Sequence, residues 1–165
     1  MLDYVPTPYE EIAAAALMRK DAGIKRWEDL RGKPVCVSQG SNFINWLRGT
    51  YGAEIKAFRS QSESLLSLRG NGCVAAVHVS PTLQALLANP EWADYEIPLP
   101  PDREPLQSVI WVRKGEHDIQ NRIDAIVRDW HRSGWLIETG ERNGMIPSQG
   151  LLALHEKYRD AVPLK

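Results

Sequence analysis

The sequence predicts an α/β fold built on a largely parallel sheet. Three β-type runs, at residues 34–38, 54–58 and 73–79, are each followed by a short polar turn and then by apolar residues at helical spacing. Strands that are joined through helices run parallel, and the helices cover both faces of the sheet. The alternation therefore indicates a three-layer arrangement of helix, sheet and helix.

The first of these strand-helix units contains a glycine turn. Residues 34–38 read Pro-Val-Cys-Val-Ser, residues 40–42 read Gly-Ser-Asn, and apolar residues at helical spacing begin at Phe43. A helix that opens directly after a strand leaves backbone N–H groups and the positive end of its dipole at the edge of the sheet. This turn is therefore a candidate anion site, although a plain helix cap without a ligand fits the same residues.

The second and third units follow the same order. Residues 54–58 alternate polar and apolar side chains, and Ser60 opens a helix that carries three leucines. Residues 73–79 form a continuous apolar run, typical of a strand buried on both faces, and Ser80 with Pro81 starts the next helix.

The rest of the chain predicts two more strands and a helical end. Residues 95–99 and 106–112 have strand patterns on either side of a proline-rich loop. Beyond Gly115 the apolar residues recur at helical spacing, which predicts helices near residues 119–130, 135–141 and 151–158.

One segment near the N-terminus gives conflicting signals. Thr7 to Glu10 resembles a capping box with proline at the first helical position, and residues 12–18 have strong helix propensity. Local chemistry alone predicts a helix over residues 8–20.

Composition excludes several classes of protein. The chain has 165 residues, 20 Lys and Arg against 21 Asp and Glu, and no basic stripe, so we expect no nucleic-acid binding. The longest nearly uninterrupted apolar run is far shorter than the roughly 20 residues of a spanning helix, so we expect no membrane insertion. No signal-peptide pattern precedes the first strand.

The two cysteines lack the spacing of a zinc site or of a disulfide scaffold. Cys36 and Cys73 each lie in an apolar β-type run. Free cysteine packs as a small apolar side chain, so we expect two buried thiols. We expect no metal and no cofactor.

Several stretches together resemble the solute-binding proteins of bacterial polar amino-acid ABC importers. These receptors lie outside the cytoplasm and consist of two α/β lobes joined by crossover strands, with the ligand between the lobes. The matching stretches keep the order and spacing of the family and read KDAGI at 20–24, WEDLRGKPVCV at 27–37, GS at 40–41, GCVAAV at 72–77 and WVRKG at 111–115.

The resemblance implies a periplasmic-binding-protein-like fold of type II with a mixed, mostly parallel sheet, one complete lobe and one incomplete lobe. Residues 34–105 would form the complete second lobe. Residues 1–33 would hold a crossover strand and linker of an incomplete first lobe, and residues 106–165 the returning strand and the C-terminal helices of that lobe. On this template residues 12–19 form a strand that pairs with 106–112, against the local helix signal.

The resemblance also implies that part of the first lobe is absent from the chain. The family's first lobe begins with strands and an arginine that binds the ligand carboxylate, all upstream of the counterpart of Asp3. We therefore expect a truncated protein whose uncovered apolar faces associate in a homodimer through residues 8–20 and 106–158.

In the family, the turn that corresponds to Gly40, Ser41 and Asn42 binds the ligand carboxylate, and Ser60 could add a hydroxyl to the same crevice. The family motif DAVVVDSP corresponds to residues 74–81, and its second aspartate holds the ligand ammonium. That position is Val79 here, so amine recognition is in doubt. We expect His78, on the opposite face of the strand, to be structural.

These observations predict the binding component of an importer for a small acidic or amino-acid-like solute, outside the cytoplasm, with a membrane permease as partner. We expect no enzyme, since no nucleophile elbow, zincin or nucleotide-loop motif occurs. Two alternatives stay open: a lyase similar to cyclohexadienyl dehydratase on the same scaffold, and a truncated fragment without function.

Overall fold

The computed structural model describes residues 1–163 and divides the chain into two compact units. One unit comprises residues 1–13 and 105–165, and the other comprises residues 14–104. We refer to them as the terminal unit and the central unit. Within residues 1–163 no helix combines the length and the apolar character that crossing a membrane requires.

The central unit is built on one five-stranded sheet. Its strands are β3 (Ala14–Arg19), β4 (Pro34–Ser38), β5 (Glu54–Phe58), β6 (Ala75–Val79) and β7 (Tyr95–Glu96), in the order β5-β4-β6-β3-β7. Strand β4 is parallel to both of its neighbours, β5 and β6, whereas β3 runs antiparallel to β6 and β7. The predicted mixed sheet is present, and two of its four strand pairings are parallel and two antiparallel.

Three helices follow the three parallel strands, as the alternating pattern predicts. They are α1 (Ile44–Tyr51), α2 (Gln61–Arg69) and α3 (Ser80–Leu87). Helices α2 and α3 cover a core in which small side chains of the sheet face leucines and aromatic rings. The principal members of this core are Leu17, Cys36, Leu65, Leu68, Ala76, Leu83, Trp92 and Tyr95.

The segment with conflicting signals is a strand, not a helix. Residues 14–19 form β3, and Ala14 to Met18 are buried. The expected pairing with residues 106–112 is wrong for this strand, because β3 pairs with β6 and β7. Pairing on two sides and burial of five successive side chains outweigh a helix propensity of only a few tenths of a kcal/mol per residue. Residues 14–33 therefore belong to the central unit, and the boundary lies at residue 14 where the sequence suggested 34.

The expectation of two free thiols is also wrong. Cys36 and Cys73 form a disulfide across a Cα–Cα distance of 5.8 Å. Cys36 lies within β4, and Cys73 lies two residues before the start of β6. Strands β4 and β6 are paired neighbours in the sheet. Adjacent parallel strands thus bring together two cysteines that are 37 residues apart in the chain.

The terminal unit contains two antiparallel ribbons and three helices. Strand β1 (Leu2–Tyr4) pairs with β9 (Trp111–Arg113), and β2 (Glu10–Ile12) pairs with β8 (Leu106–Ser108). The predicted strand at 106–112 is thus two short strands. The helices of the terminal unit are α4 (His117–Ser133), α5 (Trp135–Arg142) and α6 (Gln149–Tyr158), close to the predicted positions.

Packing in the terminal unit joins α6 closely to β2. Ser148, the N-cap of α6, accepts a hydrogen bond from the Leu151 amide and donates one to the Glu10 carboxylate. A Cβ added at Gly150 would lie 2.0 Å from the Glu11 carbonyl oxygen, so only glycine permits this approach of helix and strand. Burial raises the pKa of Glu10.

His131 on α4 is a buried histidine. It is 1% exposed, its Nε2 lies 2.8 Å from the Pro8 carbonyl oxygen, and its ring stacks on Tyr158. Burial lowers the pKa of His131, so the neutral imidazole is favoured at this position.

Candidate functional site

The predicted site residues follow three adjacent strands of the central sheet. Strand β4 ends at Ser38 before the 40–42 turn, β5 ends at Phe58 before Ser60, and β6 ends at Val79. Because β4 is parallel to β5 on one side and to β6 on the other, all three segments leave the sheet at the same edge. In open α/β sheets this carboxyl edge is where ligands bind.

The 40–42 turn reverses the chain between β4 and α1. Gly40 has a φ of 73°, which a residue with a side chain rarely adopts. The Ser41 amide donates to the Ser38 carbonyl at 3.2 Å, and the Ser41 hydroxyl oxygen accepts from the Phe43 amide at 3.2 Å. The Ser41 amide is therefore paired within the turn and is not a free donor.

Two backbone donors at this turn do remain. Within residues 1–163 the amides of Gly40 and Asn42 make no hydrogen bond to the protein. Both residues are exposed, so water reaches these donors. Helix α1 begins two residues later, at Ile44, and orients the positive end of its dipole toward the turn. The turn thus presents two N–H groups in a region of positive potential.

Ser60 acts as the N-cap of α2. Its hydroxyl oxygen accepts a hydrogen bond from the Glu63 amide at 3.2 Å, and the Glu63 carboxylate accepts one from the Arg59 amide at 3.1 Å. This is the helix-cap role that the sequence left open beside the ligand role. The hydroxyl proton of Ser60 is not used by this arrangement, so the side chain still has a donor at the edge of the sheet.

Val79 and His78 lie on opposite faces of β6. Val79 is half-buried at the end of the strand and brings no charge or hydrogen-bonding group to the sheet edge. His78 is buried, and its Nε2 lies 2.8 Å from the Ser64 hydroxyl of α2. Burial lowers the pKa of His78 to about 4, so this histidine is neutral near pH 7. Strand alternation explains why His78 cannot replace a carboxylate at position 79.

The structure adds one residue to this region that the sequence did not indicate. The Arg103 guanidinium lies 5.4 Å from the ring centroid of Trp46 and 6.0 Å from that of Phe43, the residue that follows the 40–42 turn. Arg103 and Phe43 are far apart in the chain, and no local motif marks the arginine. Only the path of the loop between β7 and β8 brings the two together.

No cluster of potential metal ligands accompanies these residues in the part of the chain that is described. Residues 1–163 contain no group of three or more His, Cys, Asp or Glu side chains placed to hold a metal ion. The arrangement at the sheet edge consists of backbone donors, hydroxyl groups and one nearby guanidinium. Such groups bind an anion, and they include no base positioned against a nucleophile.

This chain resembles known proteins in structure, whereas searches by sequence find no match. No protein-family model matches the chain, and no curated protein sequence does. Among solved structures, a mutant of ArgBP from T. maritima is 26% identical with a TM-score of 0.71, over 86% of this chain and 61% of that one.

Two further solved structures are similar over most of this chain. The cysteine-binding protein from Campylobacter jejuni is 18% identical with a TM-score of 0.71, over 86% of this chain and 56% of that one. The amino-acid ABC transporter substrate-binding protein AbpA from Streptococcus pneumoniae, bound to L-arginine, is 14% identical with a TM-score of 0.70, over 95% and 62%.

The chain spans about three fifths of the length of these structures. All three are named as binding proteins, in agreement with the sequence-based expectation of a binding protein. The α/β architecture, the mixed sheet and these neighbours confirm the predicted fold class. The chain has the type II periplasmic-binding-protein-like fold and resembles the solute-binding proteins of polar amino-acid ABC transporters.

Proposed function

We propose that this chain is the solute-binding component of an ABC importer and that its ligand is a small carboxylate-bearing solute. The observation that carries the proposal is the pair of unpaired amides, of Gly40 and Asn42, at the carboxyl edge of a sheet that resembles those of amino-acid-binding proteins. Backbone N–H groups near a helix N-terminus are a general means of binding carboxylates. Ser41 and Ser60 supply hydroxyl groups beside them.

Val79 determines what the ligand lacks. In the resembling receptors an aspartate at this position holds the ligand ammonium, and valine cannot. A cation placed against Val79 would lose water and gain no partner, which is costly. We therefore propose that the ligand is acidic and that its recognition does not depend on an α-amino group.

Nuclear magnetic resonance on the ¹⁵N-labelled chain tests this proposal. Propionate should shift the Gly40 and Asn42 amide resonances saturably, and L-alanine, which adds only the ammonium, should bind no more tightly. The Val79→Asp variant should improve L-alanine binding relative to propionate by about tenfold, the usual scale of a charge-assisted hydrogen bond. Val79→Asn is the matched control, because asparagine has the shape of aspartate but no charge.

Two results would overturn the proposal. One is that propionate, at concentrations where chloride has no effect, leaves both amides unchanged. The other is that the unmodified chain prefers L-alanine to propionate, which would mean that an ammonium site exists without the aspartate.

The disulfide supports a location outside the cytoplasm. Structural disulfides persist in oxidising compartments such as the bacterial periplasm and are rare in the cytosol. Cys36 and Cys73 are both buried, so this bond is protected from reductants. We propose a periplasmic or otherwise extracytoplasmic protein that delivers its ligand to a membrane permease. Gel-shift detection of free thiols in periplasmic and cytoplasmic extracts checks the compartment.

We also propose that the chain forms a homodimer through its terminal unit. Large apolar side chains are exposed there, among them Tyr4, Trp111, Ile119 and Trp135. Tyr4 and Trp111 pack edge to face on the ribbon formed by β1 and β9, at a centroid distance of 5.9 Å. Exposed apolar groups of this kind are usually covered by association. Residues 14–18 of the expected interface are excluded, because they are buried within the central unit.

A further inference from the structure

Arg103 is a half-buried cation held against aromatic rings beside the 40–42 turn. Its guanidinium lies 5.4 Å from the Trp46 centroid and 6.0 Å from the Phe43 centroid. Contacts of this kind between guanidinium and aromatic rings are favourable and orient the planar group. Stacking leaves the N–H donors at the rim of the guanidinium available to an acceptor.

The charge of Arg103 has no carboxylate partner in the described part of the chain. Two other arginines of the central unit also stack on aromatic rings, and both are neutralised. Arg19, over Tyr95, has Asp21 at 3.1 Å, and Arg69, over Trp92, has Glu91 at 3.3 Å.

Among residues 1–163, no Asp or Glu oxygen lies within 4 Å of the Arg103 side-chain nitrogens. Its chain neighbours Asp102 and Glu104 are exposed. A partly desolvated cation without a counter-charge is a site at which an anion gains energy.

The position of Arg103 is set by the structure around it. The Trp27 indole N–H donates to the Pro100 carbonyl at 2.8 Å, and Trp27 packs on Trp46 at 4.9 Å, so the loop before Arg103 is attached to α1. Phe43 is attached in turn to the site, because its amide donates to the Ser41 hydroxyl oxygen. The guanidinium and the unpaired amides therefore belong to one continuous packed block of the central unit.

We propose that Arg103 is a specificity-determining residue that binds a second carboxylate of the ligand, so that the preferred solutes are dicarboxylates. This inference rests on the proposed function, in which the first carboxylate binds the Gly40 and Asn42 amides. A guanidinium pairs with a carboxylate through two parallel N–H bonds, which gives both energy and orientation. Position 79 is valine where the resembling family has aspartate, so no carboxylate at the end of β6 repels a ligand that carries two negative charges.

Titrations of the ¹⁵N-labelled chain with succinate and propionate test the proposal, with the Gly40 and Asn42 amides and the indole N–H signals as reporters. The unmodified chain should bind succinate at least tenfold more tightly than propionate. Arg103→Gln should abolish most of that difference and leave propionate binding within twofold. Arg103→Lys should restore part of the succinate preference, because it keeps the charge but not the bidentate geometry.

Arg48→Gln is the matched control. Arg48 is an exposed arginine of α1, the helix that carries Trp46, on which the Arg103 guanidinium packs. This variant should leave the succinate preference unchanged. Circular dichroism and thermal melting establish that each variant is folded, and a variant that fails to fold is replaced by Arg103→Met, which keeps the apolar stem.

The outcomes separate the two proposals. If propionate shifts the turn amides but succinate has no advantage, or keeps its advantage in Arg103→Gln, the role of Arg103 is wrong and the carboxylate site stands. If neither acid shifts the turn amides, the proposed function itself fails. If Arg48→Gln loses the succinate preference as completely as Arg103→Gln does, the effect comes from net charge. That result would also overturn the role of Arg103.

Discussion

At the residue scale, neighbouring positions of β6 face different environments with different consequences for charge. Val79 faces the site edge without a charge, whereas His78 is enclosed between the sheet and α2. The Ser64 hydroxyl gives His78 one hydrogen bond, but burial is the dominant effect on its pKa, which falls to about 4. Burial of this kind favours the neutral imidazole over the charged one.

His78 therefore predicts a loss of stability in acid. The unfolded chain binds more protons than the folded chain between pH 6.5 and 4, so the free energy of unfolding decreases as the pH falls through this window. The contribution of His78 to the difference between pH 7.5 and 4.5 should be about 2 to 3 kcal/mol. Urea denaturation at both pH values measures it.

Two variants control this measurement. His78→Gln can still form a hydrogen bond with Ser64 but does not titrate. Its free energy of unfolding should therefore fall by about 2 to 3 kcal/mol less between pH 7.5 and 4.5 than that of the unmodified chain. His117→Gln, at an exposed histidine of α4, should behave as the unmodified chain does. An equal acid loss in the His78→Gln protein would show that another group causes the effect.

At the element scale, the disulfide ties β4 to the chain segment that enters β6. Cys36 is fully buried within β4, and Cys73 is nearly so. Closing a loop of this length restricts the unfolded chain much more than the folded one. Because α1, β5 and α2 lie between the two cysteines in sequence, the bond holds two helices and one strand in a closed loop.

Removing the disulfide should lower the free energy of unfolding by about 3 to 4 kcal/mol, as loop-closure entropy estimates for a loop of this size. The Cys36→Ala/Cys73→Ala double variant, compared with the oxidised protein in urea without reductant, measures the loss. Dithiothreitol present during unfolding should lower the midpoint of the unmodified chain and leave that of the double variant unchanged. A midpoint of the unmodified chain that does not respond to the reductant would mean that the thiols are free.

At the scale of the whole molecule, the two units differ in how completely they cover their apolar side chains. The central unit buries most of its large apolar side chains, and Leu66 is its one strongly exposed large apolar residue among those described. The terminal unit exposes several, including Trp111 at 59% and Tyr4 at 56%. A formal net charge of −1 opposes association only weakly.

The proposed homodimer predicts a mass near twice the chain mass of 18.6 kDa in light scattering at high concentration. Trp111→Lys should shift the equilibrium to the monomer, because it places a charge in the proposed interface. Leu66→Lys is the matched control, since Leu66 is equally exposed but lies on α2 of the central unit. A single monomer mass for the unmodified chain would exclude the dimer.

The sequence by itself determined most of the local structure. Periodicity located the three parallel strands and the six helices to within a few residues, because their apolar spacing reflects burial on one face or on two. The turn at residues 40–42 and the cap at Ser60 were also predicted, since both depend on residues that are adjacent in the chain. The order of motifs was sufficient to identify the fold.

Only the tertiary structure decided features that depend on residues far apart in the chain. Residues 14–19 have helix propensity but form a strand, because β6 and β7 offer hydrogen bonds on both sides. Cys36 and Cys73 became partners because β4 and β6 are neighbours, and Arg103 reached Phe43 because Trp27 holds the intervening loop. Propensity is a local quantity of a fraction of a kcal/mol per residue, whereas pairing and burial at long range contribute several kcal/mol to one segment.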